Sequence, residues 1–317
     1  MKSCVYQPLV KEPRHLARRG ALAILLLVLT GDSSGANADG NARLIRSADG
    51  VPICIYETGN PAGPPLLFVH GFSQSYAVFK LQFESDLARD YRLLAYDLRG
   101  HGCSGKPWDA AQYTSKRIAG DMAAVLKEFR PQRPLLIGWS YGGYVIMDYI
   151  RHYGDGQLAG AMLVGSNAGL PPAPTDAAAL ERTRVMRDNN RNASPDIAAA
   201  IKGGHNFVRL MTAKPAPTEM AEIMFATNQM LPAYARRAMV ERNLQNDDVI
   251  PKVHVPILLL AGTQDATQPS AVLQAIADKL RNGKVVLIQA AGHATFIDAP
   301  AEFASELRRF AATTAPR

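Results

Sequence analysis

Gly138-Trp139-Ser140-Tyr141-Gly142-Gly143 lies between an apolar, strand-like segment, Pro134 to Ile137, and a helix-like one, Tyr144 to Tyr153. A serine with glycines two residues to either side, at a sharp strand-to-helix turn, has its hydroxyl lifted clear of the backbone. Small neighbours are needed because the serine must hold a strained conformation and a Cβ at the glycine positions would collide with strand or helix. The helix beginning at Tyr141 adds a free N–H and the positive end of its dipole. Ser140 is therefore a candidate nucleophile. Taken alone, the hexapeptide is also compatible with a glycine-rich turn and an inert serine, so its context decides.

A serine hydroxyl needs a base to take its proton, and an imidazole serves when a third group fixes its tautomer and offsets its charge. Downstream, Val255 to Ala261 reads as a buried strand and runs into Gly262-Thr263-Gln264-Asp265, which places Asp265 in the loop past the strand. Lys284 to Gln289 reads as another strand. It ends in Ala291-Gly292-His293-Ala294-Thr295-Phe296 before a helix expected near Pro300. Ser140, Asp265 and His293 thus fall at the carboxyl ends of successive strands, the edge at which open parallel sheets place their ligands.

The order serine, acid, histidine resembles that of the α/β-hydrolases, and further segments carry the resemblance. Leu66-Leu67-Phe68-Val69-His70-Gly71-Phe72 looks like the family's His-Gly turn, which implies that the N–H of Phe72 and that of Tyr141 form the oxyanion hole. Tyr96-Asp97-Leu98-Arg99-Gly100-His101-Gly102-Cys103-Ser104-Gly105 is similar to the family's Asp-x-Arg-Gly-x-Gly-x-Ser segment; Asp97, Arg99, His101 and also His70 read as structural. The resemblance runs from about residue 42 onward. It implies an α/β fold with a mostly parallel sheet, helices on both faces and a helical cap.

The rest of the chain is consistent with that expectation. Asp49-Gly50 between Asn41 to Ser47 and Val51 to Thr58 predicts an opening hairpin. Helices are predicted over Tyr76 to Ala88 and Ser115 to Phe129, strands over Tyr91 to Tyr96 and Leu158 to Gly165, and this alternation argues for a parallel sheet covered on both sides. It stops over about 171–250, which reads as helices and holds Met186, Met211, Met220, Met224, Met230 and Met239. Such a cap suits an apolar ligand, although ordinary packing accounts for any single Met. Trp139 and Phe296 are the candidate pocket-lining residues beside the triad.

With 317 residues, 47% apolar and 20% charged, the chain suits one large domain over residues 39–317. The formal charge of +7 does not indicate nucleic acid. The first 38 residues carry five Lys or Arg against two Asp or Glu, a surplus of three that leaves +4 for the remainder, without a basic run. Basic residues, nine apolar residues from Ala21 to Leu29, and Ala36-Asn37-Ala38 have the shape of a secretory signal over 1–38. Cleavage is expected after Ala38, with export to the periplasm or medium and no lasting membrane association. Cys54 and Cys103 could pair, but spectator thiols are the expectation. No His, Cys or carboxylate spacing suggests a metal, and no Gly-rich loop a nucleotide.

The expected chemistry is cofactor-free acyl transfer on a small, largely apolar carboxylic ester, through an acyl-enzyme on Ser140. Carbon–carbon bond hydrolysis and perhydrolysis use the same triad and stay open, as does a ligand-binding sensor on the same scaffold.

Overall fold

Eight strands form one sheet in the order β1-β2-β4-β3-β5-β6-β7-β8 in the computed structural model, which describes residues 42–171, 196–265 and 267–314. They are β1 (Arg43–Arg46), β2 (Pro52–Gly59), β3 (Pro65–Val69), β4 (Arg92–Tyr96), β5 (Leu135–Trp139), β6 (Gly160–Val164), β7 (Ile257–Gly262) and β8 (Gly283–Ile288). The hairpin β1–β2 turns through Gly50 at φ 84° and pairs Arg43 with Ile55. β2 is antiparallel to β4, and all pairs from β4 to β8 are parallel.

Both faces of the sheet are covered, as strands that are apolar at nearly every position require. Alternate residues go to opposite layers: Leu94 and Tyr96 of β4 enter one core, Leu93 and Ala95 the other. The first layer is closed by α1 (Ser115–Phe129) and α2 (Tyr141–Tyr153). Helix α1 starts at Thr114, whose hydroxyl accepts from the Arg117 N–H, buries Ile118, Met122, Val125 and Phe129 on one stripe, and stops at Arg130, at φ 45°.

Between β6 and β7 the chain leaves the sheet and forms α3 (Ile197–Met211), α4 (Thr218–Met230) and α5 (Ala233–Glu241); among the described residues of this interval there is no strand. Met186, within 172–195, lies outside the described residues, as do 1–41 with the expected signal and cleavage site. Met211, Met220, Met224 and Met239 are buried, whereas Met230 is half exposed. Helix α6 (Ser270–Ala277) joins the first layer, and α7 (Pro300–Thr314) closes the second with Phe303, Leu307 and Phe310. No helix among the described residues is long and apolar enough to cross a membrane.

Two expectations are corrected. The helix predicted over Tyr76 to Ala88 is broken into a 3-10 turn, Tyr76–Phe79, and two short helical turns, Lys80–Phe83 and Leu87–Asp90. Ser85 interrupts it, its hydroxyl donating to the Gln82 carbonyl and accepting from the Leu87 N–H, which competes with helical bonding. Cys54 and Cys103 are not spectator thiols but form a disulfide, with Cα atoms 5.7 Å apart. The loop after β4 folds back along β2, Gly105 N–H donating to Pro52 C=O, and so brings together cysteines 49 positions apart.

Candidate active site

Ser140 directly follows β5 and caps α2 with φ 51° and ψ −113°, a conformation rare for a residue with a side chain. The surrounding glycines make it possible. A Cβ on Gly142 would overlap the Val69 carbonyl, and one on Gly138 would lie 2.6 Å from Ile146 Cδ1. The turn is latched by Ser140 N–H donating to Val164 C=O at 2.8 Å and by the Ser166 hydroxyl donating to Ser140 C=O at 2.6 Å.

Opposite the serine, the loop after β3 comes close because Gly71 has no side chain: a Cβ there would lie 3.0 Å from Trp139 Cε3 and 3.2 Å from Ser140 Cβ. Two buried histidines hold this loop. His70 Nε2 accepts from Leu98 N–H while Nδ1 faces Gly71 C=O at 2.8 Å, and His101 Nε2 accepts from Ser73 N–H at 3.0 Å. Burial lowers the affinity of both rings for a second proton, most strongly at His101, which suits neutral rings accepting at Nε2. Asp97 and Arg99 are likewise in structural networks: Asp97 accepts from Tyr76 and Cys103 N–H, and Arg99 pairs with Asp49 and Asp121. Among the described residues no acceptor takes the N–H of Phe72 or of Tyr141, the two groups expected to face an oxyanion.

Asp265 follows β7 and His293 follows β8, and their side chains, 0% and 3% exposed, meet with Oδ2 and Nδ1 2.9 Å apart. Gly165, at φ 53° after β6, leaves room for this pair; a Cβ would lie 3.0 Å from His293 Nδ1 and 3.2 Å from Asp265 Oδ2. Thr267 completes the group. Its hydroxyl donates to Asp265 Oδ1 at 2.7 Å and lies 2.9 Å from His293 Nδ1, and its N–H donates to Oδ1 at 2.8 Å. Burial opposes the charge on Asp265, but the His293 imidazole and the Thr267 donors together outweigh it and hold the carboxyl below its usual range.

Ser140 and His293 line one cavity of about 30 Å³ with Gly71, Phe72, Trp139, Phe207 and Met211. The serine hydroxyl makes no hydrogen bond to the imidazole here; such contacts often tighten only around substrate. Trp139, one of the two residues expected to line the pocket, does so and donates its indole N–H to His293 C=O at 3.1 Å. Phe296, the other, is not at the cavity. It is fully buried behind Trp139, ring centroids 5.1 Å apart, and packs on Phe79 and Phe303. Its place at the wall is taken by Phe207 and Met211 of α3.

Sequence reasoning also missed Thr267, Ser166 and Gly165. Thr267 had a local signal, since a residue two positions after an Asp commonly donates its N–H to that carboxylate. Gly165 and Ser166 had none, being placed by the β5–β6 pairing. The one cluster of His, Cys, Asp or Glu with metal-like spacing among the described residues is Cys54, Asp97 and Cys103, whose sulfurs are bonded to each other.

A family model described as the alpha/beta hydrolase family matches residues 66–306. Among solved structures, a Burkholderia cenocepacia protein assigned as an aryl esterase is 30% identical, with TM-score 0.77 over 86% of this chain and 99% of its own. The esterase RhEst1 from Rhodococcus sp. is also 30% identical, with TM-score 0.74 and the same coverage. EphD of Mycobacterium tuberculosis, named as an oxidoreductase, is 36% identical over 114 residues, which is 36% of this chain and 19% of EphD.

Proposed function

The chain belongs to the alpha/beta hydrolase family, and from that premise we propose that it is a serine esterase acting on small, largely apolar carboxylic esters. In this mechanism His293 takes the Ser140 proton as the hydroxyl attacks the ester carbonyl, and Asp265 steadies the imidazolium that results. The N–H groups of Phe72 and Tyr141 hold the oxyanion. His293 then protonates the leaving alcohol and activates the water that cleaves the acyl-enzyme.

The observation that carries this reading is the buried Asp265–His293 pair opening onto the same cavity as a strained Ser140, with two unclaimed main-chain N–H groups at hand. The walls of that cavity, Trp139, Phe72, Phe207 and Met211, are apolar, and the space is small; both favour a small, apolar acyl group. Esterases among the structural relatives support the same reaction class. We propose export as well: the signal-like sequence pattern of residues 1–38 and the Cys54–Cys103 disulfide both favour it, because such bonds persist in oxidising compartments.

The test is a p-nitrophenyl ester series from acetate to octanoate with wild type and Ser140→Ala. The expected result is turnover that falls with acyl length and drops by about four or more orders of magnitude in Ser140→Ala. Equal rates in the two proteins would overturn the mechanism.

A further inference from the structure

The cap interval is hydrogen-bonded to the loops on both sides of the expected oxyanion hole and to the histidine loop. On the Phe72 side, Asn228 of α4 donates from Nδ2 to the Ser73 hydroxyl at 2.7 Å, and Gln74 Nε2 donates to Met224 C=O at 3.0 Å. Asn228, Ser73 and Gln74 are all fully buried. Arg236 of α5 lies over the Phe72 ring, 5.4 Å from its centroid, and donates to Asn228 C=O at 2.7 Å. On the Tyr141 side, the phenol donates to Met239 C=O at 3.1 Å and accepts from Arg242 Nε at 2.5 Å. Arg242, just past α5, is also 2.8 Å from Asp148 on α2. The histidine loop is held as well, Ala294 N–H donating to Met211 C=O at 2.6 Å and Ala213 N–H to Asp298 at 2.9 Å.

A lid that swung away during turnover would have to break these bonds together and uncover Asn228, Ser73 and Gln74, which are fully buried against each other. It would also free Ser73, which holds φ 55° one residue after the oxyanion donor. Resting on the assignment of Phe72 and Tyr141 as that hole, we propose that the cap is a fixed part of the catalytic machinery. Asn228 is a positioning residue that sets the Phe72 N–H through Ser73. The core side of the loop is fixed by His101 on Ser73 N–H and the cap side by Asn228 on Ser73 Oγ, so one residue takes both restraints. Because geometric errors near 1 Å can cost a hundredfold in rate, loosening one restraint lowers kcat rather than substrate affinity.

The experiment compares wild type, Ser73→Ala, Asn228→Ala and the double variant by kcat and KM on p-nitrophenyl acetate. We expect each single variant to lose about tenfold or more in kcat with KM changed by less than about twofold. The double variant should be no slower than the slower single, because both changes cut one path. A raised KM at unchanged kcat, or losses that multiply, would overturn the proposal and leave the cap as a pocket wall. If Asn228→Ala does not fold, Ser73→Ala, which leaves the cap sequence intact, decides alone: a kcat loss supports the proposal, wild-type kcat ends it. Failure of the esterase reading is separately visible, since wild type itself would then turn over no ester, and this inference falls with it.

Discussion

Ser140 is held at φ 51° and ψ −113°, a strain of roughly 1–3 kcal/mol that a residue without a Cβ would not bear. Ser140→Gly should therefore abolish ester turnover yet melt at a temperature no lower than Ser140→Ala; a clearly lower midpoint would mean that the backbone is not strained there. Thr267 is the second residue whose consequence is local. His293 Nδ1–H is shared between Asp265 Oδ2 and the Thr267 oxygen, while the Thr267 proton goes to Asp265 Oδ1, so the hydroxyl fixes the carboxylate plane against the ring. Hydrogen bonds to charged groups contribute about 1.5–3 kcal/mol. Thr267→Val, which keeps the shape and the N–H donor, should lower kcat roughly tenfold or more while Thr267→Ser stays near wild type. Steady-state kinetics of the pair checks this, and a Val variant as fast as wild type would remove Thr267 from the mechanism.

At the scale of elements, what matters is how closely strand ends approach each other. Gly165 at the end of β6 leaves the space into which the Asp265–His293 pair fits. Gly165→Ala should reduce activity by about a hundredfold or more through displacement of the imidazole. Gly156→Ala, at a loop glycine with open space around its Cα, should leave activity unchanged. Comparable rates for the two variants would contradict this reading of β6. The triad was legible in the sequence because each member follows a strand carrying its own periodic or turn signal. Gly165 and Ser166 were not, since their role depends on β6 lying between β5 and β7. The helix expected over Tyr76 to Ala88 is broken for the opposite reason. Its apolar spacing is helical, but the local hydrogen bonds of Ser85 outweigh a weak periodic signal. Phe296 was assigned to the pocket by nearness in sequence to His293, whereas the short helical turn Thr295–Asp298 aims its ring into the core.

For the protein as a whole, two stability dependences follow. The Cys54–Cys103 bond closes a span of 49 residues, so reduction should lower stability by up to about 4 kcal/mol in the chain-entropy account, measured by urea titration with and without reductant. The pairing was hidden from the sequence because it follows from β2 lying beside β4, a long-range register. The buried histidines set the acid side. His70 and His101 bind a proton less readily folded than unfolded, so between the usual imidazole value of 6.5 and their depressed folded values the unfolded state takes up more protons. Their contribution is therefore complete above about pH 6.5 and is lost as pH falls below it; Asp265, also depressed, adds a similar loss starting lower, below about pH 4. A thermal midpoint that stays flat from pH 7 to 5 would contradict the neutral-histidine anchors. The central claim is that Ser140 is an activated nucleophile, and the most direct measurement is intact-mass spectrometry after incubation with a fluorophosphonate, with peptide mapping of the adduct. The account predicts a single adduct on Ser140 that is absent from Ser140→Ala; a folded wild-type protein that takes up no label, or takes it elsewhere, would contradict it.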